Sequence, residues 1–152
     1  LIRCSFNLGA IIGTDDNSTV TAFRNSGEAL GCLFQIRDDI LGVWGNEATT
    51  GKAIGGDIRR KKNSLPVVYT MSHTTGHSKK ALMSIYSKGT ITDSDVDDVL
   101  DIMQYAGARE YAHKLATEQR DKALKILENT TLNGTVRHGI KDLADFLLIR
   151  NH

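Results

Sequence analysis

Hydrophobic positions recur every three or four residues along most of the chain, and no segment shows the strict alternation of a half-buried strand. The pattern predicts helices over about residues 1–12, 18–44, 78–87, 92–105, 107–128 and 135–149, with a short helix that begins after residue 64. The predicted fold class is therefore all-α.

Two helix starts carry specific signals. Thr92 is followed three residues later by Asp95, which resembles a capping box with aspartate in place of glutamate. Ser64 is expected to cap the short helix, which tolerates Pro66 in its first turn because the first amides of a helix have no intrahelical acceptor. In the long helix of residues 18–44, the pair Gly27 and Gly31 predicts the close approach of another helix.

Composition narrows the class of protein further. The chain has 152 residues, enough for one modest domain, and its net charge of +1 gives no electrostatic reason to expect a nucleic-acid partner. No apolar run approaches the roughly 18 to 20 residues that a membrane-spanning helix needs. Cys4 and Cys32 lie in apolar helical patterns, so we expect buried free thiols and a cytoplasmic location. The first residues read as a helix entered partway along, which predicts a single partial domain over residues 1–152.

Residues 45–63 differ in character from the helices around them. They combine four glycines with a basic run at residues 59–62. Long loops inside compact domains are usually functional, so the composition predicts a mobile active-site loop.

The most informative segment lies just before this loop. On a helix, Gln35, Asp38, Asp39 and Gly42 fall at i, i+3, i+4 and i+7 and share one stripe. Two carboxylates in an otherwise apolar helix are costly unless a cation binds them, and Mg²⁺ takes one or two protein carboxylates together with water and substrate phosphates. The alternative is a pair of solvated aspartates on an exposed face, partnered by Arg37.

Lysines follow the aspartates on the predicted loop. Lys52 stands in Thr-Gly-Lys, and Lys62 ends the basic run. Carboxylates that hold Mg²⁺ on one side, with lysines that close from the other, would bind a diphosphate. A solvated basic loop is the simpler alternative.

The order of these motifs is more specific than any one of them. Phe-Gln-x-x-Asp-Asp, Thr-Gly-Lys, Gly-x-Asp-Ile-x-x-x-Lys and Ser-Leu-Pro follow one another between residues 34 and 66. This order resembles the second aspartate-rich region of the trans-polyprenyl diphosphate synthases, which include farnesyl and geranylgeranyl diphosphate synthases. The resemblance implies the C-terminal half of an isoprenoid-synthase-type helical bundle.

The resemblance also implies a reaction and roles for the residues. An allylic prenyl diphosphate ionises, and the carbocation is attacked by the double bond of isopentenyl diphosphate, with Mg²⁺ as cofactor. Asp38 would be a metal ligand, with Asp39 a ligand through water or a supporting group. The residues expected to contact substrate are Lys52 and Lys62 at the diphosphate, and Phe34 and Gln35 at the reacting end of the prenyl chain.

Two departures from the family pattern qualify this expectation. Gly42 stands where many relatives carry a third aspartate. The first aspartate-rich motif and the basic residues expected to bind isopentenyl diphosphate lie in a half that these 152 residues do not contain. The chain alone is therefore expected to be inactive, and to act with the missing N-terminal half or a partner subunit, within a homodimer.

Two other functions remain open from the sequence. A non-catalytic, synthase-like small subunit would pair with an active synthase and regulate its product. A terpene cyclase of related helical architecture also ionises prenyl diphosphates, although the Phe-Gln-x-x-Asp-Asp segment and the Gly-Lys loop argue against it.

Overall fold

The computed structural model describes residues 1–45 and 54–150. Within those ranges all regular structure is helical, which confirms the all-α prediction. The helices are α1 (Ile2–Gly13), α2 (Asn17–Trp44), α3 (Gly56–Arg59), α4 (Leu65–His73), α5 (Gly76–Ser87), α6 (Asp93–Tyr105), α7 (Ala108–Leu127) and α8 (Gly134–Ile149).

The chain divides into two compact units. The first comprises residues 1–37 and 114–150, and the second comprises residues 38–113. Both α2 and α7 contribute residues to each unit. The single-domain expectation for residues 1–152 stays a prediction.

In the first unit, α1 packs closely on α2 at a glycine. A Cβ atom on Gly27 would lie 2.6 Å from Cβ of Phe6, so only glycine permits this approach. The predicted close approach is confirmed at this position, whereas Gly31 has ordinary contact distances. A buried hydroxyl ties α2 to α7, because Ser26 Oγ donates to the Ala123 carbonyl oxygen at 2.9 Å.

The last helix, α8, has a side-chain cap at its start. Asn133 is its N-cap residue, and the Asn133 side-chain oxygen accepts from the Val136 amide at 2.8 Å. Arg120 of α7 pairs with Asp145 of α8. Buried residues of both helices, Ala116, Ala123, Leu127, Ala144 and Leu147, contribute to the core.

Helix α1 exposes much of its apolar surface. The exposed fractions of Leu1 and Ile12 are 104% and 87%, and Leu8 and Ile11 are also exposed. Both cysteines are free, as expected, but both are exposed, so their predicted burial was wrong. Apolar periodicity identifies the face of a helix that seeks a partner, but it does not say whether this chain supplies one.

The second unit is built around α6, which packs against α3, α4 and α5. Its buried core consists of Val43, Ile58, Val67, Leu82, Ile85, Ile91, Val96, Val99, Met103 and Ala108. The predicted capping box at the start of α6 is confirmed. Thr92 Oγ1 accepts from the Asp95 amide at 3.3 Å, and Asp95 Oδ2 accepts from the Thr92 amide at 2.9 Å.

Candidate active site

The two aspartates of α2 have different surroundings although they are adjacent. Successive residues of a helix point about 100° apart, so neighbours face different sides. Asp38 is exposed, whereas Asp39 is only 7% exposed. Asp38 is therefore the carboxylate that a ligand from solvent can reach.

The Asp39 carboxylate joins three segments of the second unit. Lys62 Nζ donates to Asp39 Oδ1 at 2.9 Å, and the Leu65 amide donates to Asp39 Oδ2 at 2.8 Å. Leu65 is the first residue of α4, so Asp39 satisfies an amide that the helix itself cannot. Ser64 is the N-cap residue of α4, as predicted, but its side chain makes no capping hydrogen bond.

A third carboxylate, Asp57, lies in the same cluster. It belongs to the first turn of α3, which follows Gly55 in the left-handed conformation at φ 76°. Asp57 is 2% exposed. Its Oδ1 lies 2.6 Å from Arg60 Nη2, and its Oδ2 lies 3.2 Å from Lys62 Nζ. We call Asp39, Asp57, Arg60 and Lys62 the aspartate–lysine cluster.

The cluster affects the pKa values of its members and of a nearby tyrosine. The hydrogen bond to Asp39 raises the pKa of the Lys62 ammonium above its usual value, against the effect of partial burial, and Asp57 adds to the rise. Burial, with the negative charge of Asp57 as a smaller cause, raises the pKa of Tyr86 to about 12. Lys62 is thus cationic at neutral pH and lies between two carboxylates.

Phe34 and Gln35 precede the aspartates on α2 and belong to the first unit. Both side chains are exposed, and Phe34 is 37% exposed. The Arg150 guanidinium carbon lies 4.1 Å from the centroid of the Phe34 ring, a cation–π contact. Arg37 Nε donates to the Arg150 carbonyl oxygen at 2.9 Å, so the end of α8 is attached to α2 at this point.

Lys52 lies outside the described residues, as does much of the predicted loop of residues 45–63. The described part, residues 54–63, contains α3, whose Ile58 is fully buried in the core of the second unit. The mobility predicted for residues 45–63 stays a prediction.

The comparison with protein families decides the family question. Residues 1–103, about two thirds of the chain, match the polyprenyl synthetase family. The chain belongs to that family. A geranylgeranyl diphosphate synthase from Saccharolobus solfataricus is 34% identical over 151 residues, which cover 99% of this chain and 45% of that protein. This polyprenyl synthetase chain thus spans less than half the length of that relative.

Solved structures place the polyprenyl synthetase chain in the same fold. A polyprenyl synthetase from Streptomyces coelicolor superposes with a TM-score of 0.90 at 28% sequence identity. The alignment covers 97% of this chain and 46% of the S. coelicolor chain. A geranylgeranyl pyrophosphate synthase from Corynebacterium glutamicum, solved with isoprenyl diphosphate and magnesium, gives a TM-score of 0.83 at 27% identity. That alignment covers 94% of this chain and 41% of the other.

Two features of this polyprenyl synthetase chain were missed by the sequence reasoning. Asp57 stands in Gly-x-Asp-Ile-x-x-x-Lys, for which the sequence predicts a role only for the lysine. The spacing of Asp57 from Arg60 was the available signal, since residues three apart on a helix are neighbours. Nothing in the sequence indicates that the Leu65 amide donates to Asp39, because every residue except proline carries a backbone N–H donor.

The described residues, 1–45 and 54–150, lack two features. They contain no group of three or more histidine, cysteine or acidic side chains placed to hold a metal ion. None of their helices has the length and apolar character that crossing a bilayer requires.

Proposed function

We propose that this chain forms part of the active site of a magnesium-dependent prenyltransferase. The enzyme would join an allylic prenyl diphosphate to isopentenyl diphosphate and so extend an isoprenoid chain. The observation that carries the proposal is the distance of 2.9 Å between Lys62 Nζ and Asp39 Oδ1 of α2, in a chain of the polyprenyl synthetase family. The C. glutamicum relative, solved with isoprenyl diphosphate and magnesium, supports the choice of ligands.

The donor set suits magnesium. Mg²⁺ commonly takes one or two protein carboxylates and fills its other positions with water and substrate phosphates, so a closed cage of protein ligands is not required. Asp38 would be the direct ligand, because its carboxylate is exposed. Asp39 would act through water or by support, since its two oxygens already accept from Lys62 and Leu65. When bound, the metal would supply positive charge to offset the departing diphosphate.

The remaining residues would act on the substrate directly. Lys62 would stabilise the negative charge that grows on the diphosphate as the allylic bond breaks. Lys52 is proposed for the same task. Phe34 and Gln35 would line the reacting end of the prenyl chain, where the aromatic ring excludes water from the carbocation.

Catalysis by this chain would need further residues. It spans 45% of the S. solfataricus relative, and the first aspartate-rich motif that the resemblance implies is not among its 152 residues. We propose that the remaining part of the site comes from the rest of the protein or from a partner subunit, and that the assembled enzyme is a homodimer. The exposed apolar face of α1 offers a surface for such packing.

Substitution of Asp38 tests the proposed function most directly. In the full-length protein, Asp38→Ala is expected to lower kcat/KM for prenyl transfer by about 10²-fold or more, because a metal ligand acting on the transition state is lost. The measurement is incorporation of labelled isopentenyl diphosphate with and without Mg²⁺. Asp98→Ala, which removes an exposed carboxylate from α6, is the matched control and should retain activity. Unchanged turnover in Asp38→Ala would refute the assignment.

A regulatory subunit is the second candidate, favoured by the exposed apolar face of α1, on which an active synthase could pack. The chain would then show no turnover alone but would change the product length of an active synthase mixed with it. Product analysis by chromatography, with and without the chain, separates this candidate from the enzyme.

A further inference from the structure

Gly42 of α2 lacks a side chain, and the Asp57 carboxylate fills the space that a side chain would occupy. A Cβ atom on Gly42 would lie 2.7 Å from Asp57 Oδ1 and closer still to Oδ2 and Cγ. Close-packed interiors do not accommodate such an overlap, so any larger residue at position 42 must displace Asp57. Glycine at position 42 and aspartate at position 57 are therefore a matched pair.

Asp57 is held in this space by fixed partners. Arg60 Nη2 lies 2.6 Å from Asp57 Oδ1, and the carboxylate is almost fully buried. Asp57 contacts Lys62 twice. The Lys62 amide donates to the Asp57 carbonyl oxygen at 2.9 Å, and the Lys62 ammonium lies 3.2 Å from Asp57 Oδ2. The Asp57 carboxylate thus helps to hold the charged group of Lys62, whereas the hydrogen bond from the Lys62 amide goes to the Asp57 main chain and does not depend on the side chain.

Lys62 keeps one side accessible. Its side chain is 40% exposed even though the ammonium contacts both Asp39 and Asp57. The ammonium donates a hydrogen bond to Asp39 and lies within ion-pair distance of Asp57 Oδ2. An ammonium group has three N–H donors, so Lys62 retains a donor that can face a ligand arriving from solvent.

We propose that Asp57 is a positioning residue, which supplies from α3 the carboxylate that position 42 of α2 lacks and thereby orients Lys62 toward the diphosphate of the allylic substrate. This inference rests on the proposed function. Asp57 acts through Lys62 and does not touch the substrate. It therefore affects the affinity for one of the two substrates more than the other.

A carboxylate exchange in the full-length protein tests this role. Asp57→Ala is expected to raise KM for the allylic diphosphate about tenfold, since the ion pair that helps to orient Lys62 is lost, with a smaller change in KM for isopentenyl diphosphate. Gly42→Asp combined with Asp57→Ala should recover most of that loss, because the new carboxylate enters the emptied space. Gly42→Ala combined with Asp57→Ala is the matched control and should recover nothing.

Binding of inorganic diphosphate gives a second measurement that does not require turnover. Calorimetric titration in the presence of Mg²⁺ should rank the affinities as wild type, then the Gly42→Asp/Asp57→Ala variant, then the two variants without the carboxylate. Asp57→Asn is nearly equal in size to the wild type, and it carries the test if the alanine variants do not fold. It should also bind diphosphate about tenfold more weakly.

The outcomes separate the two proposals. If the wild-type protein shows no prenyl transfer but the variants bind diphosphate in the expected order, the proposed function is refuted and the role of Asp57 is retained. Three results would each overturn the role of Asp57. The first is equal affinity of the Gly42→Asp/Asp57→Ala and Gly42→Ala/Asp57→Ala variants for diphosphate. The others are wild-type affinity in Asp57→Asn and a wild type that does not bind diphosphate. As a specificity control, Asp95→Asn alters a buried carboxylate outside the aspartate–lysine cluster and should leave the affinity unchanged.

Discussion

The second unit contains two arrangements in which a buried carboxylate pairs with a lysine, and they differ in the distance along the chain that they span. At the start of α6, Asp95 pairs with Thr92 and Lys88, three and seven residues away. In the aspartate–lysine cluster, Asp39 pairs with Lys62 and Leu65, which are 23 and 26 residues away. The lysines are similarly exposed, at 47% and 40%.

This difference separates a structural role from a positioning role. The capping box completes one helix end, and its lysine is held by its neighbours in sequence. The aspartate–lysine cluster joins α2, α3 and the start of α4, so the location of Lys62 depends on the fold of the whole unit. Charges placed by tertiary structure are pre-organised and therefore suited to bind a ligand.

Loss of Asp39 is expected to have the largest effect on stability. Asp39→Ala should lower the free energy of unfolding by about 2 to 3 kcal/mol, because it removes one partner of Lys62 and leaves the Leu65 amide without its acceptor. Urea unfolding followed by circular dichroism measures the change. Asp39→Asn retains a carbonyl oxygen for Leu65 and should lose less. Equal losses in the two variants would show that the Leu65 hydrogen bond contributes little.

The capping box should show a smaller effect that depends on pH. Its hydrogen bonds, to Lys88 first and then to Thr92, lower the pKa of Asp95 from 3.8 to about 2. A carboxyl group whose pKa is lower in the folded than in the unfolded state stabilises the protein fully at pH values above its unfolded-state pKa. This stabilisation is lost as the pH falls through the folded-state pKa. The urea midpoint of wild type should exceed that of Asp95→Asn at pH 5, and the two should converge between about pH 4 and pH 2. A difference that is constant over this range would contradict the assignment.

The smallest effect is expected at Tyr86, beside the aspartate–lysine cluster. Its hydroxyl is buried and has no hydrogen-bond partner within residues 1–45 and 54–150. Tyr86→Phe removes a desolvated polar group, so the melting temperature should stay the same or rise by about 1 to 3 °C. Scanning calorimetry provides the measurement. A clear fall in the melting temperature would mean that the hydroxyl is hydrogen-bonded in solution and belongs to the cluster.

Features with local causes were predictable from the sequence, and those with distant causes were not. The capping box at Thr92, the N-cap at Asn133 and the close approach at Gly27 depend on neighbouring residues or on one missing side chain. The hydrogen bond from the Leu65 amide to Asp39 joins residues 26 positions apart, so no sequence spacing pointed to it. The prediction that the cysteines are buried was wrong for a related reason, because their burial depends on what covers α1 and α2.

The motif order around Asp38, Asp39 and Lys62 predicted the family, because the order of several short patterns is rarely met by chance. The spacing between Gly42 and Asp57 carried no such information. Only the folded chain brings the glycine and the carboxylate into one volume.

The hydrogen bond from the Leu65 amide to Asp39 Oδ2, 2.8 Å long, also makes one nuclear resonance informative. The chemical shift of a hydrogen-bonded amide proton depends on the charge of its acceptor, which here is the Asp39 carboxylate. The proton–nitrogen signal of Leu65 would therefore respond when the charge on Asp39 changes. A spectroscopist could follow ligand arrival at the aspartate helix through a backbone signal, without a label on the ligand.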